Sequence, residues 1–446
     1  MDAGQLLRSR ALADRAATLT DDPREHARLA GVRAAIEFEQ GSPRAAHGIL
    51  MAAAGPLSAT DPDRSASMLL EAVRDAWFAG APELAAQAID GVRALGLPAG
   101  HRLRPVIAAL TGLADLLAGD PARGLPPIHA ALAAARRSAE PAGPGERLIM
   151  ASMAFMTGDD ETAADLSARL AGDCRAQGLI GWLPHALQNL ASSLLYLGRF
   201  QDAHASAAEA VRVAEDTGQH HRVDHLQGVL AWLAAVCGEE HECAELAGRV
   251  RAHAGAHGNV SSLAWAVWAQ GLLALRQGRA RAALEELEDG LTGAVRHQLT
   301  TTLFVPDLVE AAVRCEQPER AGGPLARFEE WAAAAGRPWA GAVALRCRAL
   351  LAGSADAAGE LFAEAVRLHQ DGGRPFEEAR TRLLFGEWLR RTRRKSDAGL
   401  QLGRALDAFE RAGAHPWAAR ARAELRAAAC GAARPAAGRW RARPGC

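Results

Sequence analysis

Seven glycines fall at a nearly constant stride along the 446 residues of this chain: Gly41, Gly80, Gly119, Gly158, Gly198, Gly238 and Gly278, with gaps of 39, 39, 39, 40, 40 and 40. Self-similarity at such a period marks one supersecondary unit copied along a line, each copy burying its apolar face against its neighbours. A second small residue follows each glycine by five positions: Ala46, Ala85, Gly124, Ala163, Ala203, Cys243 and Ala283. A third precedes most of them by seven: Ala34, Gly112, Ala151, Ala191, Ala231 and Gly271, with Val73 as the exception. The flanking segments carry apolar residues at helical spacing, such as Leu187, Leu190, Leu194 and Leu195 before Gly198 and Ala203, Ala207, Ala210, Val211 and Ala214 after it. The unit is therefore a pair of antiparallel helices about a glycine turn, with small side chains where the two approach.

A second glycine about twenty residues on, as at Gly100, Gly178, Gly218 and Gly258, predicts a left-handed cap that ends the second helix. After Gly278 the turn glycine lapses, but the register continues through Gln317, Gly353 with Ala358, and Arg393 with Ala398, and the closing glycines return at Gly373 and Gly413. The pattern resembles the tetratricopeptide repeat, whose small-residue positions match Ala191, the Gly198-Arg199-Phe200 turn and Ala203; the unit here is longer than the usual 34 or so residues. The expectation is a right-handed α-solenoid of about ten tetratricopeptide-like helical pairs over residues 1–427, followed by a tail over 428–446. That tail is rich in Gly, Ala, Pro and Arg, has no acidic residue from Cys430 onward, and is expected to be disordered. Counting back from Gly41, the chain opens at the turn of a pair, which makes Gln5 to Thr20 an orphan second helix.

Charge and composition exclude several functional classes. The formal net charge of −1 argues against a dominant nucleic-acid or membrane face. The longest apolar run, Leu263 to Leu275, is too short to span a bilayer and is broken by Gln270. The N-terminus mixes charges and has no apolar segment of the signal-peptide kind, and the seven scattered cysteines suit reduced thiols, so a cytoplasmic location is expected. One lysine, Lys395, occurs in the whole chain and no glycine precedes it, which rules out a Walker-type phosphate loop. No nucleotide, zinc-protease or nucleophile-elbow motif is present, and neither enzyme activity nor a cofactor is expected.

Two sets of metal-ligand residue types stand close in sequence: His221 and His225 with Asp224 between them, and Cys237, His241 and Cys243 around the next turn. Cys243 occupies the small packing position, so a structural role competes with ligation. The run Arg390, Arg391, Arg393, Arg394 and Lys395 is the densest positive patch, read as a solvated turn.

In a superhelix of this kind the first helices line the concave face. Positions 13, 10 and 6 residues before each turn give a candidate groove for a ligand or partner: His185, Gln188 and Ser192, then His225 and Trp232, Trp265 and Trp268, and Phe304 and Asp307. The competing reading is that the tryptophans fill gaps in an alanine-rich core. The expected occupant is a protein or a small-molecule effector; no direct nucleic-acid or membrane contact is expected from this chain alone.

The stretch Gly373-Arg374-Pro375-Phe376-Glu377-Glu378-Ala379-Arg380, with Leu383, Leu384, Gly386, Glu387, Trp388, Leu389 and Arg390, and then Ala405 to Ala414 with Pro416-Trp417-Ala418, resembles the last repeats of the large ATP-binding regulators of the LuxR type. The match is specific over Gly373 to Leu425 and architectural before it. It implies the signal-receiving scaffold of a transcription regulator, without the nucleotide-binding and helix-turn-helix domains that flank the repeats in that family. A free-standing protein-interaction scaffold is the alternative.

Overall fold

The computed structural model describes residues 5–137 and 143–430; the segment 431–446, and with it nearly all of the expected tail, lies outside the described residues. Among those residues the chain is helical and has no strand. A single helix, Leu6–Ala17, is followed by ten pairs. Repeats 1 to 5 are Pro23–Glu39 with Pro43–Ala54, Pro62–Phe78 with Pro82–Ala94, Arg104–Leu117 with Pro121–Arg137, Pro144–Met156 with Asp160–Gln177, and Leu183–Tyr196 with Phe200–Thr217. Repeats 6 and 7 are His220–Cys237 with Glu240–His257 and Val260–Arg276 with Ala280–Thr292. In repeat 8 the first helix is split into Leu299–Leu303 and Val305–Arg314 before Gly322–Ala335. Repeats 9 and 10 are Pro338–Leu351 with Ala355–His369 and Pro375–Arg391 with Lys395–Ala412, and His415–Cys430 closes the array.

All seven turn glycines have positive φ, between 60° and 101°. Where glycine lapses the backbone keeps the conformation: Glu316, one residue before the expected Gln317, has φ 58° and Arg393 has φ 65°. Glycine is the residue that adopts this turn with least strain; the expected turn at Gly353 is the exception, where Ala352 is extended and no residue takes a positive φ. Gly178, Gly218, Gly258 and Gly413 cap their helices in the left-handed conformation as expected. Gly100 does not: the second helix of repeat 2 ends at Ala94, and Gly96 takes the positive φ. The small positions are where helices touch. A methyl group at Gly112 would come within 2.3 Å of the Gly124 carbonyl, so the third pair packs backbone to backbone.

The array winds tightly enough that one superhelical turn rests on the next. Trp339 Nε1 donates to the Gly158 carbonyl at 3.1 Å across 181 residues, and Arg337 pairs with Asp159 at 2.7 Å. Arg374 bonds Asp160 at 2.8 Å and lies between the rings of Tyr196 and Trp339, 3.6 and 3.7 Å from their centroids. The separation amounts to between four and five repeats per turn. Five turn glycines, Gly41, Gly80, Gly158, Gly198 and Gly238, pack against residues of the following turn, namely His257, Val260, Trp339, Pro375 and Pro416. No helix among the described residues is long and apolar enough to cross a membrane.

Candidate functional site

The first helices face the superhelix axis, and those of repeats 2 to 8 enclose a cavity of about 420 Å³, within the range of small-molecule sites. Repeats 2 to 4 form one side of it, repeats 6 to 8 the other, and repeat 5 joins them. Across the cavity the two superhelical turns are tied directly: Gln298 Nε2 donates to the Trp77 carbonyl at 2.8 Å over 221 residues, and both residues line the space.

Of the nine groove positions chosen from the sequence, five line this cavity: His185, Gln188, Ser192, His225 and Trp265. Gln188 accepts from Arg222 Nη1 at 3.3 Å, which leaves its amide N–H groups for the cavity. His225 packs edge-on against Trp265, ring centroids 6.1 Å apart, and its Nδ1 is buried without a partner. Burial, reinforced by the nearby Arg222 guanidinium, pushes the His225 imidazole down to about 3 and His185 well below its ordinary range, so both are neutral hydrogen-bonding groups at physiological pH. Beside the cavity, burial raises the Asp75 carboxyl to about 7 despite its ion pair with Arg74.

The other four are buried by side-chain packing away from the cavity. Trp232 packs against Phe200, Trp268 and Phe376. Trp268 donates from Nε1 to Asp307 Oδ2 at 2.7 Å, and Asp307 pairs with Arg380 of repeat 10 at 2.5 Å. Phe304 is fully buried beside Gly290. Core packing thus takes the place of the open groove expected at this level, with Phe376 and Arg380 of repeat 10 against Trp232 and Asp307. Arg380 and Arg420 share Glu310, and against the upward push of burial these guanidiniums, with Arg314, hold the Glu310 carboxyl well below its usual range.

The remaining cavity lining was within reach of the sequence. Positions 13, 10 and 6 before Gly80 are Ser67, Leu70 and Arg74, and those before Gly158 are Gly145, Leu148 and Ser152, all on the wall. The register that selected His185 selects them too, once repeats 2 to 4 are included. Trp77, Phe78 and Gln298 carry no such signal; the return of the chain after one superhelical turn brings them in.

The two metal-ligand sets do not converge, and no group of three potential ligands forms among the described residues. His221 sits between the rings of Phe38 and Phe78, 4.4 and 4.7 Å away, and both of its ring nitrogens are buried without a partner. Cys243 is buried, with burial raising its thiol to about 12, while His241 is almost fully exposed. In the basic patch Arg390 pairs with Glu424, Arg391 with Glu387 and Arg394 with Asp397, so its charge is largely compensated.

Stacked helical pairs, a left-handed turn in nine of the ten and an axial cavity define a tetratricopeptide-like helical repeat protein. Among solved structures the chain is similar to a Rap protein complexed with Competence and Sporulation Factor, at 12% identity over 83% of this chain and 99% of that one, with a TM-score of 0.50. It is also similar to a monomeric mutant of IFIT1 with Gppp-AAAA (15% identity, 91% and 90% covered, TM-score 0.42) and to the human IFIT1 dimer with m7Gppp-AAAA (13%, 91% and 90%, 0.39). The likeness to Rap carries the fold alone. No protein-family model matches the chain, and no curated protein sequence matches it.

Proposed function

We propose that this chain is an effector-binding repeat scaffold of the kind carried by LuxR-type transcription regulators, and that filling the axial cavity holds successive superhelical turns together. The observation that carries the reading is the composition of the cavity wall: Trp77 and Arg74 come from one turn, Trp265 and Gln298 from the next. An occupant touching both favours the wound form over any opened one, and ligand-driven change requires such differential binding. The contact is also wired to a lock between the turns, since Gln188 on the cavity wall bonds Arg222, whose Nε and Nη2 donate to Glu39 at 3.2 and 3.0 Å across 183 residues. The Rap protein of similar fold was solved with a factor bound, and the repeat 10 sequence supplies the LuxR resemblance.

A thermal-shift screen of metabolites and short peptides on the full chain and on Ser192→Trp tests the effector role. A true effector at a hundred times its Kd adds about 2.7 kcal/mol to the wild-type chain alone and slows amide exchange around Trp77 and Gln298. A hit that stabilises both proteins equally refutes the cavity as its site. Translating the DNA on both sides of the coding sequence tests the regulator half: a Gly-Lys phosphate loop upstream and a helix-turn-helix downstream are expected, and their absence leaves a free-standing interaction scaffold.

A further inference from the structure

The polar groups on the inner wall are of one kind. His185, Gln188, Ser192, His225 and Ser261 are buried, each offers an imidazole, amide or hydroxyl, and no carboxylate, guanidinium or ammonium stands among them on the wall. Charged lining residues occur toward solvent instead: Glu71 is exposed, Arg64 and Glu146 are half-buried, and Arg74 is tied to Asp75 at 3.0 Å. Arg74 is paired with Asp75 and has Glu71 and Glu39 nearby, so that side gives no net attraction for an anion. Aromatic rings from Trp77, Phe78, Phe155, Trp182 and Trp265 supply flat apolar walls on several sides.

An ionised group brought to the inner wall would lose its hydration and meet only guanidiniums that are already paired, Arg222 behind Gln188 with Glu39 and Arg74 with Asp75, which is unfavourable. An apolar molecule without polar atoms would instead leave the Gln188 N–H groups unpaired, a penalty of the same origin. Resting on the reading of this cavity as the effector site, we propose that its ligand is an uncharged aromatic molecule bearing hydroxyl, carbonyl or ring-nitrogen groups, stacked on the ring-lined walls with its polar edge toward Gln188, Ser192 and His225.

The test uses two environment-sensitive dyes of similar size on the full chain: neutral Nile red, which has a ring nitrogen and a carbonyl, and anionic 1-anilinonaphthalene-8-sulfonate. Nile red is expected to bind one site per chain at least tenfold more tightly than the sulfonate, and Ser192→Trp to weaken it at least tenfold. Ser67→Trp, on the half-buried side of the same cavity, repeats the test if Ser192→Trp does not fold. Tighter sulfonate binding that the tryptophan variants abolish overturns the ligand class while leaving the cavity as a binding site. Nile red binding that both folded variants retain, or no binding of either dye, overturns the ligand class and the cavity reading together.

Discussion

Arg222→Met is the substitution that most directly probes how the superhelix is held shut. The Arg222 side chain is fully buried on the first helix of repeat 6, stacks near Phe38 and Phe78, and makes a two-pronged ion pair with Glu39 at the end of the first helix of repeat 1. Removing one member of a buried pair destabilises by roughly 3–5 kcal/mol, because the other charge is left uncompensated. Here the lower end applies: the Glu39 side chain keeps 15% exposure and can recruit water, and Met preserves the packing on the two phenylalanines. The reverse change, Glu39→Gln, is expected to be worse, since it strands a guanidinium with no access to solvent. Repeat arrays lose global two-state behaviour, so the assay is native-state amide exchange. A local loss of about 3 kcal/mol speeds exchange roughly a hundredfold in Pro23–Glu39 and His220–Cys237, with an increased radius of gyration by small-angle scattering. Arg199→Met, at an exposed pair with Asp202, serves as the control. Exchange within threefold of wild type in both helices, or an Arg222→Met effect larger than that of Glu39→Gln, would refute the argument.

Burial holds His225 neutral, so the unfolded chain binds its proton first; stability contributed by keeping it neutral is intact above pH 6.5 and is lost as pH falls toward about 3. Relative to His225→Gln, the wild-type chain should lose about 1.4 kcal/mol per pH unit in that window, measured by urea unfolding at stepped pH. Asp75 works in the opposite sense: its raised carboxyl favours the fold in acid, and that contribution disappears as pH rises through about 7, so the stability of the wild type relative to Asp75→Asn should fall between pH 4 and 7. Gly158→Ala and Gly278→Ala both place a side chain at positive φ, about 1–2 kcal/mol of strain, but only at Gly158 does the new methyl come within 2.9 Å of the Trp339 ring. An additional 1–3 kcal/mol is therefore expected for Gly158→Ala, and equal melting midpoints would contradict the packing of one superhelical turn on the next. Arg380→Met removes the partner of Asp307 and Glu310 and should destabilise by about 3–5 kcal/mol, with Asp307→Asn in the same chain restoring part of it in a double-mutant cycle.

The repeat was legible because its determinants are local. A left-handed turn needs glycine or accepts strain, two helices in close contact need small residues at fixed distances from that turn, and both requirements recur with the unit. The glycine stride therefore gave the helical pairs and their number, and the count of 13 residues back from the turn picked out the axial face, on which Ser67, His185, His225 and Trp265 all stand. That count did not separate Trp265, on the cavity wall, from Trp268, three residues on and turned to Asp307. Their local sequences obey the same rule; what differs is whether repeat 10, more than a hundred residues later, passes beside them.

The amino-acid sequence by itself determined the unit, its turn and the face each first helix turns inward, since these rest on backbone sterics and contacts within some forty residues. Only the tertiary structure decided the pitch of the superhelix, and with it which inward residues became core and which enclose a cavity. Pitch is the sum of small rotations between neighbouring pairs, so contacts such as Gln298 to Trp77 and Arg222 to Glu39 arise from the accumulated geometry of several repeats and leave no mark at any single period.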